Sequence, residues 1–170
     1  MHACCRAHCA QLLASASYDD TVKLWQDDGD DWACTDTLAG HTSTVWEARF
    51  DPAGQQLASC SDDLSLRVWR PLGGHWRQAA LLQAVHARTI FSLDWSYHPS
   101  PLLASGGADD AIVLHAPAGG RADEPSFVRA AVRSKAHASD VNCVRWSPAE
   151  ADLLASCGDD ALVRLWRVQL

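Results

Sequence analysis

LASCSDDLSLRVW, residues Leu57 to Trp69, decides the fold, because the chain carries the same pattern three more times. LASASYDDTVKLW runs from Leu13 to Trp25, LASGGADDAIVLH from Leu103 to His115 and LASCGDDALVRLW from Leu154 to Trp166. The four copies align without a gap, at offsets of 44, 46 and 51 residues. Each opens on Leu-Ala-Ser, short, apolar and small, as suits a strand buried on both faces. Turn-forming residues follow, and then a β-rich run such as Val22-Lys23-Leu24-Trp25 alternates between two faces. A histidine precedes the last three copies, His41, His86 and His137, and each leads into an apolar run: VWEARFDP from Val45, IFSLDWSYHP from Ile90 and VNCVRWSP from Val141. Weaker, more polar strands, Trp32 to Leu38, Trp76 to Gln83 and Phe127 to Val132, come after the first three copies, where an outer edge would sit.

Four strands per unit of roughly 40–45 residues, marked by a histidine and a tryptophan, make the blade of a β-propeller. The sequence therefore predicts an all-β chain of about 14 strands, grouped three, four, four and three. The expected divisions are a non-homologous segment 1–11, a partial blade 12–39, full blades 40–84 and 85–135, and a partial blade 136–170. MHACCRAHCA stands where the first innermost strand belongs, and it lacks the apolar pattern of the other inner strands. Pro71 to Gly74 and Pro117 to Pro125 read as divergent or shortened loops. A propeller removes its sheet edges only by closing its ring. The expectation is that this chain alone leaves the ring open and is prone to self-association.

Composition narrows the function. The chain has 170 residues, 14 Lys plus Arg against 21 Asp plus Glu, and a net charge of −7. That balance argues against a nucleic-acid binder, which needs basic residues to neutralise phosphates. No stretch approaches the roughly 18 apolar residues of a membrane span, and the first residues have no apolar core of a secretory signal. Seven cysteines form no regular framework, which fits a reducing compartment, the cytoplasm with the nucleus as a second address.

These residues resemble the WD-repeat family over residues 12–170. The resemblance implies a buried tetrad in each repeat, made by a His, a Ser or Thr, an Asp and a Trp. By position the second unit supplies His41, Ser59, Asp63 and Trp69, and the fourth supplies His137, Ser156, Asp160 and Trp166. The third has His86, Ser105 and Asp109 but places His115 where Trp belongs. The first has Ser15, Asp19 and Trp25, with no preceding histidine unless His8 serves. The Asp named in the family's title is absent throughout, replaced by Gln26, Arg70, Ala116 and Arg167.

SASYDDTVKLW, STVW with FDP, and DVNCV with its following Trp are more specific. They resemble the second half of the WD-repeat subunits of the cytosolic iron–sulfur protein assembly (CIA) targeting complex. That branch implies a seven-bladed scaffold, of which this chain supplies about 3.5 blades. It also implies three kinds of protein partner: a small acidic adaptor, a HEAT-repeat subunit and the iron–sulfur apoproteins that receive clusters. The alternative is a WD-repeat adaptor of another machine, a ubiquitin-ligase substrate receptor or a chromatin scaffold.

Catalysis and cofactors find little support. The pairs Asp19-Asp20, Asp62-Asp63, Asp109-Asp110 and Asp159-Asp160 recur at one turn of every unit, which marks them as turn-fixing rather than as acid–base couples or metal ligands. The acidic run Gln26 to Asp31 lacks the ligand spacing and closing Glu of a calcium loop. A catalytic triad occurs once in a chain, whereas the Ser, His and Asp sets occur repeatedly. Cys4, Cys5 and Cys9 with His2 and His8 are dense, but no C-x-x-C spacing occurs. Cys60, Cys143 and Cys157 fall inside repeat strands, where cysteine serves as a small apolar residue. The expectation is no enzyme, no metal and no cofactor.

Protein binding has a residue-level signal. In the innermost strands the first, fourth and sixth places read as core: Val45, Ala48, Phe50; Ile90, Leu93, Trp95; Val141, Val144, Trp146. The second place lies off the core and holds Trp46, Phe91 and Asn142. Large aromatics at such a place make interface anchors, and the competing reading is ordinary packing between adjacent blades. Thr44, Thr89, Asp140, Tyr18, Asp62 and Asp159 occupy the same rim, completing the candidate partner-binding set.

Overall fold

The structure is a computed structural model that describes the backbone of residues 3–6 and, in full, residues 12–121 and 123–169. Fifteen strands are described: β1 (Ala3–Arg6), β2 (Leu12–Ala16), β3 (Thr21–Asp27), β4 (Trp32–Ala39), β5 (Val45–Phe50), β6 (Leu57–Ser61), β7 (Leu66–Leu72), β8 (His75–Leu82), β9 (Ile90–Trp95), β10 (Leu103–Gly107), β11 (Ile112–Arg121), β12 (Glu124–Arg133), β13 (Val141–Trp146), β14 (Leu153–Gly158) and β15 (Val163–Arg167). They form four antiparallel meanders in chain order: β1 to β4, β5 to β8, β9 to β12, and β13 to β15. No described residue is helical, so no helix is long and apolar enough to cross a membrane.

Two expectations about strands are corrected. The first unit has four strands rather than three, because β1 pairs with β2 from Ala3 opposite Ala16 to Arg6 opposite Leu13. Ladder pairing uses backbone groups, so a segment without the apolar signature of the other inner strands still completes a sheet. The stretch from Pro117 to Pro125 is not a bare loop, since β11 and β12 pair through its residues, Pro117 opposite Phe127 and Gly120 opposite Pro125. Pro71 and Leu72 likewise extend β7, and Gly73 and Gly74 turn the chain at φ of 62° and 87°. Both angles lie in the left-handed region that glycine enters without steric cost.

Three apolar layers join the sheets in sequence. Ala14, Ala16, Val22 and Leu24 of the first sheet pack against Leu57 and Trp69 of the second. Ala58, Cys60, Leu66 and Val68 meet Leu93, Trp95, Leu103 and Val113 of the third. Ala104, Ile112 and Leu114 meet Val144, Trp146 and Leu154 of the fourth. The alternation seen in the sequence is thus the two faces of each sheet, one packed on the unit before and one on the unit after. Equivalent positions measure where the stack stops. Val22 and Leu66 are fully buried, while Val163, at the same repeat position, is 75% exposed. The four sheets form an open arc, as the partial propeller requires.

The repeated turn carries backbone strain. Asp20, Leu64, Asp110 and Ala161 hold φ of 65°, 65°, 61° and 60°, the residue after the key Asp in every unit. Each is braced by that Asp, whose carboxylate accepts the backbone N–H two residues on: Thr21 to Asp19, Ser65 to Asp63, Ala111 to Asp109 and Leu162 to Asp160. Such local turns hold a non-glycine residue in a conformation it otherwise avoids.

Candidate functional site: latches beneath an aromatic rim

In the second unit the His41 Nδ1 lies 2.8 Å from Asp63 and its Nε2 lies 2.8 Å from Ser59 Oγ, which also accepts the Trp69 Nε1–H at 2.9 Å. The chemistry fixes the protons. Asp63 accepts the Nδ1–H, Nε2 accepts the Ser59 hydroxyl, and that hydroxyl oxygen accepts the indole N–H. The fourth unit repeats the set, with His137 2.8 Å from Asp160 and 2.7 Å from Ser156, and Trp166 2.9 Å from Ser156. In the third, His86 reaches Asp109 at 2.8 Å and Ser105 at 2.9 Å. His115 supplies no bond to Ser105 among the described contacts, and its Nδ1 is buried without a partner. The first unit joins Trp25 to Ser15 at 2.9 Å, while the side chain of His8 lies outside the described residues.

Electrostatics follow from burial. Burial pushes the His41 imidazole down, against the pull of Asp63. Burial would raise Asp63 and Asp109, but the hydrogen bonds they accept outweigh it and hold both below the usual carboxylate range. For Asp160 the same balance, led against burial by the His137 bond, gives about 2. His115 is driven down to about 4 by burial, with Arg129 and His86 adding to it. All four turn aspartates are thus spent on turns and, in three units, on a histidine.

Above these latches lies the predicted rim. Tyr18, Trp46 and Phe91 come one each from the first three units and pack edge to face. Ring centroids are 5.9 Å apart for Tyr18 and Trp46 and 5.3 Å for Trp46 and Phe91, within the favourable range for aromatic pairs. Trp46 donates its Nε1–H to Asp62 at 2.6 Å and also packs on the core between the second and third sheets. Tyr18 remains 63% exposed. One backbone bond recurs below the rim, from Asp62 to Thr44, Ala108 to Thr89 and Asp159 to Asp140, at 2.9–3.1 Å. In the fourth unit Asn142 donates to Asp159, so the rim changes from aromatic to polar there. The residues read as packing and those read as anchors are the same residues. Trp46 is wedged between sheets and still presents an edge to the rim.

The sequence reading missed the third place of the inner strands. Glu47 is buried, at 5% exposure, and accepts from Arg49, Ser92, the Leu93 N–H and Arg145. Arg145 Nη2 stands 2.5 Å from Glu47 Oε1, and the Ser92 hydroxyl, donating to Glu47 at 2.8 Å, accepts the Val144 N–H at 3.1 Å. This network joins the second, third and fourth sheets. Its signal was a pair of charged residues, Glu47 and Arg49, in the inner strand, at places the core pattern skipped.

The acidic run from Gln26 satisfies itself: Asp27 accepts the Gly29 N–H, and Asp28 accepts those of Asp30 and Asp31. Among the described residues no group of three or more His, Cys, Asp or Glu is placed to hold a metal ion. The side chains of His2, Cys4, Cys5, His8 and Cys9 lie outside the described residues.

Comparison with known proteins supplies the family. The WD domain, G-beta repeat profile matches residues 2–26, 32–70 and 130–167. The match enters the segment expected to be non-homologous and passes over residues 71–129, which hold most of the third unit, where His115 replaces the tryptophan. A probable cytosolic iron-sulfur protein assembly protein CIAO1 homolog of Chlamydomonas reinhardtii is 46% identical over 82% of this chain and 47% of its own length. The Ciao1 protein of Culex quinquefasciatus, named likewise, is 37% identical over 87% of the chain and 48% of its own length. A CIAO1 homolog of Schistosoma japonicum is 36% identical over 90% and 51%. The chain spans about half the length of these curated relatives. With its repeats, its latches and this match in agreement, the chain belongs to the WD-repeat family.

Proposed function

We propose that the chain is a non-catalytic protein–protein interaction scaffold serving cytosolic iron–sulfur protein assembly. The observation that carries this reading is the 46% identity, over 82% of the chain, with a relative named for that assembly. Two features of the structure support it. The tetrad histidines and serines and the turn aspartates are engaged in fixing turns and sheets, and an aromatic line of Tyr18, Trp46 and Phe91 runs across the first three units. In this reading Tyr18, Thr44, Trp46, Asp62, Thr89, Phe91, Asp140, Asn142 and Asp159 contact protein partners. Those partners are a small acidic adaptor, a HEAT-repeat subunit and iron–sulfur apoproteins, met in the cytoplasm and the nucleus.

Affinity purification of the tagged chain from cells tests this. Subunits of the assembly-targeting machinery should be recovered, and Trp46→Ala with Phe91→Ala should reduce their recovery at least tenfold at a temperature where the variant is still folded, although the lost packing of Trp46 lowers its melting temperature. Recovery of ubiquitin-ligase or histone components instead would replace this reading with the other adaptor class. Equal loss of capture and of stability would assign the aromatics to packing alone.

A further inference from the structure

Strands β13 and β14 pair with Cys143 directly opposite Cys157. The Ser147 N–H donates to the Leu153 carbonyl at 2.8 Å, and counting back along the ladder places Cys143 and Cys157 in a pair that exchanges backbone bonds, the last pair before the register shifts between Val141 and Cys143. Such pairs hold Cα atoms about 5.5 Å apart with side chains on one face, inside the roughly 4.4–6.8 Å range that a disulfide spans. Both thiols are free and half-buried. At the same ladder position the second sheet has Glu47 opposite Cys60 and the third has Ser92 opposite Gly106. Only the fourth carries two sulfurs, and its face is open, because Cys157 lies opposite Val163, which is 75% exposed.

We propose that Cys143 and Cys157 form a thiol-modification site that a small disulfide oxidant, of the glutathione class, converts to an intramolecular cross-strand disulfide. The Cys157 thiolate attacks one sulfur of the oxidant, forming a mixed disulfide and releasing one reduced thiol. The Cys143 thiolate then attacks the Cys157 sulfur, closing the protein disulfide and releasing the second reduced thiol. Two electrons and two protons pass from the protein to the oxidant. Burial pushes the Cys143 thiol up and makes its thiolate scarcer, and the nearness of the Cys157 sulfur offsets this in the second step.

The test treats the folded chain with oxidised glutathione, quenches with acid and maps tryptic peptides by mass spectrometry. Cleavage after Lys135, Arg145 and Arg164 puts the two cysteines on separate peptides. The expected result is one linked pair, 136–145 with 146–164, removed by dithiothreitol, while Cys60 stays unmodified until the chain is unfolded. Cys143→Ser should instead leave Cys157 as a glutathione adduct. In the denatured chain, where no register favours this pair, the linkages should scatter over all seven cysteines. Recovery of Cys143 and Cys157 from the folded chain as free thiols or as separate adducts would overturn the proposal.

Discussion

Ser59→Ala and Ser105→Ala remove the same atom from neighbouring blades, yet they should not cost the same. Ser59 is fully buried and its hydroxyl serves two rings, donating to His41 Nε2 and accepting from Trp69 Nε1. Ser105 is also fully buried, but its hydroxyl serves only His86 among the described bonds, because His115 stands in the tryptophan position. Leaving a buried polar group unpaired costs about 1–3 kcal/mol, well above the net worth of the bond itself. Ser59→Ala therefore strands two groups and should cost about 2–6 kcal/mol, while Ser105→Ala strands one and should cost about 1–3 kcal/mol. Urea unfolding followed by tryptophan fluorescence, with the slope held common to all variants, reads the difference. Adding Trp69→Phe sharpens the comparison. On the Ser59→Ala background it removes a stranded N–H, so the double variant should lose less than the two single losses added together. Equal losses for the two serine variants, or strict additivity with Trp69→Phe, would refute the latch as drawn.

Other consequences are as specific. His115 is neutral in the fold, being held at about 4, below the 6.5 of an exposed imidazole. The unfolded chain therefore takes up its proton first, and stability should be whole above pH 6.5 and fall as the pH drops toward 4, by about 3 kcal/mol at most. His115→Leu should flatten that part of a pH–stability curve measured by thermal unfolding. Glu47→Ala leaves Arg145 without its close carboxylate and Ser92 without its acceptor, and should cost about 3–5 kcal/mol in denaturant unfolding. Leu64→Gly removes a side chain from the left-handed region and should raise the melting temperature, through a gain of about 1 kcal/mol. A drop would show that Leu64 packing outweighs the backbone strain.

What the sequence showed plainly was whatever repeats. The tetrad positions followed from the family resemblance carried onto the four aligned copies, and the alternation of Val22, Leu24 and their equivalents was enough to place both faces of each sheet. Features that occur once were harder to see. Strand β1 is held by backbone pairing, which leaves no apolar pattern to read. Glu47, Ser92 and Arg145 come from three different blades and meet only when the sheets are stacked, so no local window contains their relation. The rim was half legible. Trp46 and Phe91 could be picked out by their place in the inner strands, but the edge-to-face line with Tyr18 depends on how neighbouring blades are turned. Cys143 and Cys157 were read one at a time as small apolar residues. Only the ladder register sets them opposite each other.

Hydrogen exchange with mass spectrometry, on the chain alone and with the co-purified partner subunits, tests the scaffold reading most directly. Bound partner should slow exchange at residues 16–20, 43–47 and 88–92, the rim segments of the first three blades, with little change along β4, β8 and β12. Protection confined to those outer strands, with the rim segments unaltered, would contradict the account.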